Sequence, residues 1–410
     1  MLLMRWIILA AIYLVVDIYA YQALRVFTKN IWVAVIYFII SAIVIGNLFY
    51  QFNQPAPNDG FGGGRGYAIG IFLAFFVGKI VLSFVMLGED VVRIPIAGIQ
   101  KFFGSSQSFD MPSRRKFIST IAIGLAAIPF AGLLYGMYKG KYNFRVLRYT
   151  LYFEDLPEAF DGYKISQISD VHSGSFDNKE KIRYGVDLLK EQASDLVVFT
   201  GDLVNNKASE MDGWKELFSE VKATDGVYSI LGNHDYGDYH NWESAAAKKK
   251  NLDKLKQTHG EMGWNLLLNE NRFIEKDGQR IALVGVENWG AGFKQVGDLE
   301  KAGQGVDEKD FKVLLSHDPS HWEQEVKMHP KKYHLTMSGH THGMQFGIEI
   351  PGWFKWSPVQ YRYKHWAGIY EEAGRYINVN RGFGFLAYPG RIGIWPEISV
   401  IELKKGSKPA

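Results

Sequence analysis

The sequence predicts an α/β domain in which two β-sheets pack as a sandwich flanked by helices, preceded by an all-α transmembrane region of about four helices. Three observations support this fold class. The first 140 or so of the 410 residues are mostly apolar, the next part alternates strand-like and helical stretches, and the end is rich in strands. Such alternation is typical of layered α/β architectures. We therefore expect a transmembrane domain at residues 1–140 and a second domain at residues 141–410.

Composition excludes several classes of protein. The chain contains no cysteine, which excludes disulfide bonds and thiolate metal ligands but leaves the compartment open. The formal net charge is only +3, and no lysine–arginine stripe suited to following a nucleic-acid backbone is evident. We therefore expect no nucleic-acid partner.

Four apolar stretches approach the length of about 20 residues that crosses a bilayer. They lie at residues 2–20, 31–50, 67–87 and 117–137. The alternative, buried helices of a large soluble core, is disfavoured because these stretches lack a polar face. Asp17 and Lys79 fall inside two of them. Either the two charges pair inside the bundle, or one of them lies near a membrane end and reaches outward to water.

Loop charges predict how the chain crosses the membrane. Residues 22–30 and 88–116 carry more lysine and arginine than residues 51–66. Residues 55–66 are rich in glycine and proline and are predicted to form a flexible loop. The positive-inside rule then places the second domain on the extracytoplasmic side of the cell (inner) membrane. The opposite orientation is mildly favoured by basic residues just after the fourth span, namely Lys139, Lys141, Arg145 and Arg148.

The segment Ser113–Ile118, with Arg114 and Arg115 before an apolar run, resembles a bacterial twin-arginine export signal at an internal position. That route carries folded proteins, which suits a domain loaded with metal beforehand. The alternative is an ordinary basic flank of a membrane span.

The second domain is predicted to begin with a strand at residues 144–153 and to contain helices near residues 179–192, 211–221 and 242–259. Further strands are predicted at residues 164–169, 196–200, 227–231, 312–315, 333–337, 376–380, 391–394 and 398–403. Five polar clusters follow or lie beside these strands: Asp170-Val171-His172, Gly201-Asp202, Gly232-Asn233-His234-Asp235, Ser316-His317-Asp318 and Gly339-His340-Thr341-His342. Because the carboxyl ends of strands in open α/β sheets gather ligand sites, we expect these side chains to meet.

The residue types in these clusters suit hard divalent metals such as Mn²⁺, Fe, Zn²⁺ or Mg²⁺. On an extended chain Asp170 and His172 would share one face and reach one ion, and His340 and His342 would repeat that geometry. Asn233 offers a neutral oxygen that limits the negative charge of the site. These donors are enough for two ions.

The order D-x-H, G-D, G-N-H-D, H, G-H-x-H over residues 163–346 resembles the calcineurin-like metallophosphoesterases. The segment Asn380–Gly384, followed by Arg391 and Pro396–Ile398, resembles the tail of a membrane-anchored bacterial branch of that family. The resemblance implies the metallophosphoesterase fold and two divalent ions. Asp170, His172 and His342 would bind one ion, Asn233, His317 and His340 the other, and Asp202 both. His234 would be the general acid, held by Asp235, and a hydroxide bridging the two metals would attack phosphorus. Met344 departs from the branch, which usually has a second glycine there, so the shape of that loop is left open.

Three features outside the motifs have two interpretations each. Arg381 or Arg391 could bind a second phosphate group, or pair with a carboxylate such as Glu397. Aromatic and basic residues interleave over residues 353–370, which suits either a bilayer interface or an ordinary hairpin and core. The remaining histidines are expected to be structural, with the two nearest to motifs, His240 and His321, the first to check.

The sequence therefore predicts an integral-membrane, dinuclear-metal phosphoesterase that hydrolyses a phosphorylated lipid, an envelope component or a small phosphoester. The alternatives are a cytoplasm-facing pyrophosphatase of nucleotide-linked lipid precursors and a non-catalytic membrane scaffold that retains the fold. Monoesterase, diesterase and pyrophosphatase activities, the metal identity and the oligomeric state are left open.

Overall fold

The structure is a computed structural model that describes residues 2–54, 63–103, 111–350 and 352–408. It divides into two compact units. The first is built from Met1–Pro55 and Gly64–Tyr138, and the second contains Lys139–Ala410.

The first unit is helical. Its described residues form α1 (Leu2–Arg25), α2 (Ile31–Asn53), α3 (Gly63–Phe103) and α4 (Met111–Tyr138). Each contains a stretch that is long and apolar enough to cross a membrane, at Met4–Arg25, Ile31–Asn53, Gly63–Ile96 and Ser113–Tyr138. These helices cover the four predicted spans, and the all-α part of the predicted fold class is confirmed.

Helix α3 is longer than the sequence predicted. Residues 88–103 were expected to belong to a loop, but they continue the helix. The charged residues Glu89, Asp90 and Arg93 end the apolar run without ending the helix, because Arg93 pairs with both carboxylates at 3.3 and 2.7 Å in the (i, i+4) and (i, i+3) positions. Arg115 of α4 reaches the same carboxylates at 3.2 and 2.7 Å. Residues 104–110 and most of the predicted 55–66 loop lie outside the described residues.

Asp17 of α1 and Lys79 of α3 form an ion pair at 2.6 Å, and both residues are buried. The Lys79 ammonium also donates to the Ser41 hydroxyl of α2 at 2.6 Å and to the Tyr13 hydroxyl at 2.9 Å. Of the two arrangements that the sequence left open, the mutual pair is therefore the correct one. It ties three helices together through groups that are costly to leave unpaired in hydrocarbon.

The second unit is an α/β domain. Its strands, in the described part of the chain, are β1 (Arg145–Phe153), β2 (Lys164–Ile168), β3 (Leu196–Phe199), β4 (Val227–Ser229), β5 (Trp264–Leu266), β6 (Glu270–Lys276), β7 (Gln279–Gly285), β8 (Phe311–Leu315), β9 (Leu335–Ser338), β10 (Ile348–Ile350), β11 (Phe354–Trp356), β12 (Gly368–Glu372), β13 (Arg375–Val379) and β14 (Glu397–Lys405). Its helices are α5 (Lys179–Lys190), α6 (Lys215–Phe218), α7 (Ala245–Glu261), α8 (Leu299–Ala302) and α9 (Pro319–Gln324).

Most of these strands build two sheets. Among the described residues the first sheet has the order β1-β14-β2-β3-β4-β5 and the second β12-β13-β9-β8-β7-β6, while β10 and β11 form a separate ribbon. Side chains from both sheets share one apolar core, which includes Val198 and Leu283. Helix residues such as Val186 of α5 pack in a second core with Phe199 of the first sheet, and Trp322 of α9 packs in a third with Leu314 of the second. The predicted two-sheet sandwich flanked by helices is confirmed.

Two predicted elements differ from the structure. The helix expected over residues 211–221 is reduced to α6, because Gly213 has a left-handed backbone (φ 85°) that a helix cannot contain. The strand expected at residues 391–394 is only a single bridge from Phe346 to Ile392. There Gly393 also has a positive φ, of 69°.

Candidate metal centre

The polar clusters lie where strands of both sheets end. Asp170 follows β2, Asp202 follows β3 and Asn233 follows β4, all in the first sheet. His317 follows β8, and His340 and His342 follow β9, in the second sheet. Because β2–β4 are mutually parallel, as are β8 and β9, each sheet delivers its polar side chains at one edge. The structure brings the predicted ligands together.

The first group of donors consists of Asp170, His172 and His342, which could together hold a metal ion. His342 Nε2 lies 3.1 Å from Asp170 Oδ1 and 3.0 Å from His172 Nε2. Asp170 and His172 have no exposed surface. Two imidazole nitrogens and one carboxylate oxygen thus converge on one point, a donor set that suits a hard or borderline divalent ion.

The second group consists of Asp202, His317 and His340, with Asn233 beside it. His340 Nδ1 lies 3.3 Å from His317 Nε2 and 2.9 Å from Asn233 Oδ1. His317 Nε2 is 3.1 Å from Asp202 Oδ2. The same Asp202 oxygen is 3.6 Å from His172 Nε2 of the first group. One carboxylate therefore stands between the two groups.

Neighbouring groups fix which ring nitrogen of each histidine is free to bind a metal. His317 Nδ1 donates to the Thr200 carbonyl at 2.7 Å, and His172 Nδ1 lies 3.1 Å from Asn205 Oδ1. His340 Nε2 lies 2.8 Å from the Tyr363 hydroxyl. In each ring the other nitrogen points into the cluster, as is usual where a second hydrogen bond orients a metal-binding imidazole.

The Asn233 carboxamide is oriented in the same way. Its Nδ2 donates to the Tyr239 hydroxyl at 2.9 Å, which leaves Oδ1 to face His340. Oxygen is the only atom of this group that can bind a cation. In this arrangement the carboxamide oxygen of Asn233 is available as a ligand.

Several ligand residues have strained backbones. Asp170, His172, Asp202, His340 and His342 have φ angles from 47° to 70°, in the left-handed region that costs non-glycine residues about 1–2 kcal/mol each. Asp170 and His172 were expected on an extended chain; that is wrong, and a tight left-handed turn brings both side chains to the centre instead. Such strain is typical of functional sites whose geometry is imposed by the surrounding fold.

Glycines in the motifs are explained by close packing at the ligands. A Cβ atom at Gly339 would collide with the Ser169 hydroxyl and the Asp170 carboxylate. Met344 takes a glycine-like φ of 55° with its side chain 60% exposed. The loop therefore keeps a glycine conformation at the position where the family usually has a second glycine.

The electrostatics of the centre favour bound positive charge. Burial alone would raise the pKa of the Asp202 carboxyl, but the charges of His317 and His234 hold it well below its usual range. Burial opposes protonation of His317, yet the Asp202 and Asp170 carboxylates raise the pKa of that imidazole to about 10. The carboxylates thus keep their charge in a buried site, where they favour positive charge nearby, supplied either by a protonated His317 or by a bound cation.

His234 and Asp235 were predicted to form an acid and its orienting carboxylate. The His234 imidazole is instead oriented by the Asn205 backbone, because its Nδ1 donates to that carbonyl at 2.8 Å. Its ring is partly exposed and lies 4.9 Å from the His172 ring. The predicted contact between Asp235 and this imidazole is therefore wrong.

The Asp235 carboxylate faces backbone amides. It accepts hydrogen bonds from the N–H groups of Asp202, Leu203, Val204 and Gly232 at 2.8–3.3 Å. Burial, reinforced by the charge of Asp202, raises the pKa of Asp235 to about 7. Asp235 joins the loops that carry Asp202 and Asn233, so it shapes the site through the backbone.

Arg381 and Arg391 are buried and occupied by protein partners. Arg381 pairs with Glu397 at 2.5 Å and with Glu349 at 2.6 Å, which is the carboxylate pairing that the sequence left open. Arg391 donates to the carbonyl of Gly384 at 2.6 and 2.9 Å. Both guanidinium groups hold the loop that packs on Asp170 and His342.

The other histidines have structural partners. His321 lies 2.8 Å from the Ser316 hydroxyl and stacks on Trp289, and burial lowers its pKa to about 4. His240 stacks edge-on against Trp242. His365 lies between Glu323 and Glu372 in a group that could bind a metal by geometry. Lys327 and Lys364 already pair with those carboxylates, so this group is an ion-pair network.

Some residues of the site escaped the sequence reasoning. Asn205, Tyr239 and Tyr363 orient ligands, and Glu210 accepts hydrogen bonds from the backbone N–H groups of Asn206 and Lys207 beside Asn205. They lie in loops without a recognisable motif. A cavity of about 270 Å³ adjoins Tyr363 and contains two exposed cations, Arg362 and Lys364. The Arg362 guanidinium lies 5.3 Å from the Phe293 ring, which contacts the His340 ring at 4.8 Å.

A carboxylate shared between two groups of imidazole and oxygen donors, at the edge of a two-sheet sandwich, defines the class of two-metal hydrolases. Comparison with known proteins gives the family. Residues 163–344 match the model of the calcineurin-like phosphoesterases, and residues 4–141 match the model described as "Probable Calcineurin-like phosphoesterase, transmembrane domain". The chain is a membrane-anchored calcineurin-like phosphoesterase and a metal-dependent phosphoester hydrolase of a family that typically binds two divalent ions.

Relatives occur in bacteria and animals. The metallophosphoesterase YkuE of Bacillus subtilis, which is uncharacterized, is 29% identical over 71% of this chain and 98% of its own length. The phosphodiesterase YaeI of Escherichia coli is 26% identical over 72% of this chain and its full length. A transmembrane protein with a metallophosphoesterase domain from Danio rerio is 28% identical over 66% of this chain and 60% of its own length.

Proposed function

We propose that this chain uses a dinuclear metal centre to hydrolyse a phosphoester of a phosphorylated lipid or another envelope component. Asp170, His172 and His342 would hold one ion. Asn233, His317 and His340 would hold the other, with Asp202 bound to both. The observation that carries the assignment is the position of Asp202 Oδ2, 3.1 Å from His317 Nε2 and 3.6 Å from His172 Nε2.

Two bound divalent cations would neutralise phosphoryl charge and activate a water molecule. The chain's own residues would do the rest. His234 Nδ1 donates to the Asn205 carbonyl, which leaves Nε2 as the nitrogen that can carry a second proton. A partly exposed, oriented imidazolium can give that proton to the leaving oxygen. Asp235 would support the site by holding the loops of Asp202 and Asn233 in place.

The cavity beside Tyr363 is a place for the part of the substrate that does not react. Its exposed Arg362 can meet a second anionic group by charge-assisted hydrogen bonds, whereas Lys364 already pairs with Glu372. Arg381 and Arg391 were the first candidates for that role, but their buried pairing and backbone contacts favour a role in loop structure. Arg362 is therefore the arginine that we assign to substrate binding.

The catalytic domain is proposed to face the extracytoplasmic side of the inner membrane, with the twin-arginine-like segment as an export feature. Lysine and arginine in the loops favour this orientation. Of the residues that argued against it, Lys141 is buried in an ion pair with Asp177 at 2.6 Å and belongs to the folded domain. Activity of periplasmic and cytoplasmic reporters fused to the carboxyl terminus tests the orientation. A cytoplasmic result would favour the alternative of a pyrophosphatase acting on lipid-precursor nucleotides.

The metal assignment is tested with the purified full-length protein, loaded with Mn²⁺ and assayed on bis-p-nitrophenyl phosphate and p-nitrophenyl phosphate. Asp202→Asn is expected to abolish hydrolysis and to lower the bound metal measured by mass spectrometry. Asp253→Asn is the matched control, because Asp253 is an exposed carboxylate that pairs with Lys249 on α7. Full activity of Asp202→Asn would overturn the metal assignment. No activity of the unaltered protein with any of the four candidate metals would overturn the proposal in favour of a scaffold.

A further inference from the structure

The ribbon of β10 and β11 turns its apolar face outward and its charged face inward. The register pairs Ile348 with Trp356 and Ile350 with Phe354, so these four side chains share one face. The other face carries Glu349 and Lys355. Ile348, Ile350 and Phe354 are exposed, whereas the two charged residues are half-buried. A ribbon on a soluble domain normally turns its apolar face inward.

The inward direction of the charges is fixed by specific partners. Glu349 pairs with Arg381 at 2.6 Å. The Lys355 ammonium donates to the Ala367 carbonyl at 2.5 Å and to the Tyr370 hydroxyl at 3.0 Å. Turning the ribbon over would bury apolar residues but break these contacts and leave the Arg381 guanidinium without one of its carboxylates. The outward apolar face is therefore built into the domain.

The apolar face extends beyond the four ribbon residues. Trp353 is 82% exposed and lies against Phe354, and Phe346 is 39% exposed and lies against Trp356. We call this surface the ribbon patch; it consists of Phe346, Ile348, Ile350, Trp353, Phe354 and Trp356. The segment after it carries the exposed cations Arg362 and Lys364. Apolar aromatic patches with cations nearby are typical of elements that lie in a bilayer interface.

A short connection links the second unit to the helices that are long enough to cross a membrane. Helix α4, the last of the described membrane-length helices, ends at Tyr138, and β1 begins at Arg145. Even a fully extended connection of that length spans only about 20 Å. A lipid surface is thus always within reach of the domain, at an effective concentration that no dissolved partner has.

We propose that the ribbon patch inserts into the interfacial layer of the membrane that the chain's own helices span. The ribbon is joined to the metal-ligand loop, because the Ser357 hydroxyl donates to the carbonyl of Gly343, next to His342, at 2.8 Å. Insertion would hold that loop at the depth of lipid headgroups. The access of this loop to a phosphorylated lipid rests on the proposed function, whereas the insertion itself does not.

The chain has no cysteine, so a single introduced cysteine can carry a fluorophore. Full-length protein with Trp353→Cys, labelled and reconstituted in nanodiscs of zwitterionic and anionic lipids, is compared with Met328→Cys. Met328 is 75% exposed in the same unit and lies outside the ribbon patch. Because Trp353 is itself part of the patch, Ile350→Cys provides a second probe that leaves the tryptophan in place.

Lipids with a nitroxide near the top of the acyl chain are expected to quench the probes at 353 and 350 by about two-fold or more, as for an element buried in the interface. Aqueous iodide is expected to quench the probe at 328 and to leave the other two protected. Iodide quenching at all three positions would overturn the proposal. Protection from iodide without lipid quenching, increasing with protein density in the membrane, would overturn it in favour of contact with a second copy. Neither result depends on hydrolysis, so both are independent of the proposed function.

Discussion

Replacing Asp235 tests whether its carboxylate stabilises the surrounding backbone or orients the His234 acid. Its side chain is completely buried and accepts hydrogen bonds from the backbone amides of Asp202, Leu203, Val204 and Gly232. In Asp235→Ala these amides lose their acceptor. A buried donor left without a partner costs about 1–3 kcal/mol. Since three of the hydrogen bonds are short and one is long, we expect the free energy of unfolding to fall by about 4–8 kcal/mol.

That loss is a large part of the total stability of a typical domain, about 5–15 kcal/mol. For a domain of this size the melting temperature falls by about 2–4 °C per kcal/mol. Intrinsic fluorescence on heating, in detergent micelles, should therefore show the melting temperature decrease by at least about 8 °C. Bound metal should fall as well, because the amides belong to the loops that carry Asp202 and Asn233.

The matched control is Asp238→Ala, three residues further along the chain, where the carboxylate is exposed and pairs with Lys248. It should leave stability and metal content unchanged. The reasoning is refuted if Asp235→Ala melts within a few degrees of the unaltered protein, keeps its metal and loses only turnover on poor leaving groups. That result would restore Asp235 as a partner of the His234 acid.

Four further predictions follow from other parts of the molecule. His234→Ala should keep most of its metal and lose about 10²–10⁴-fold in kcat, with the greater loss for poor leaving groups; an equal loss across a leaving-group series argues against the acid role. Tyr363→Phe removes the hydroxyl at His340 Nε2 and should weaken metal binding about 10–100-fold, so unchanged affinity in a metal titration contradicts it. Burial lowers the pKa of His259 from 6.5 to about 3. Between these two pH values the unfolded chain binds a proton that the folded chain does not, so the folded state loses stability as the pH falls from 6.5 to about 3. His259→Gln should flatten this part of the curve of unfolding free energy against pH, and an unaltered slope speaks against it. Asp17→Asn or Lys79→Met alone should destabilise the membrane unit by about 3–5 kcal/mol, whereas the double variant recovers much of it; additive losses in detergent unfolding would rule this out.

Much of the fold was predictable because it depends on local patterns. The four apolar stretches and the strands before each polar cluster have clear hydropathy signals, and most predicted strand bounds agree with the structure to within one or two residues. Parallel strands bring Asp170 and Asp202 to one edge of the first sheet, and in the same way His317 and His340 to one edge of the second. The ligand groups could be anticipated for this reason.

The rest depends on contacts between distant segments. Adjacency in sequence suggested that Asp235 would orient His234, but the tight turn after Asn233 sends the carboxylate toward backbone amides 31–33 residues earlier. Helix α3 continues past the apolar run, because hydropathy marks only the end of a span and the charged residues beyond it pair within the helix. The outward apolar face of the ribbon depends on Arg381, which lies 32 residues after Glu349. No local pattern contains that information.

If the twin-arginine-like segment serves in export, as proposed above, the contacts of Arg115 would constrain when it can be recognised. In the folded bundle this guanidinium is engaged by Glu89 and Asp90 of α3. A translocation receptor that reads the arginine pair would have to do so while α4 is still unassembled, since later recognition would first have to break both contacts. Removing the two acidic residues would then prolong the period in which the signal can be read, and would change the timing of membrane integration without touching the arginines.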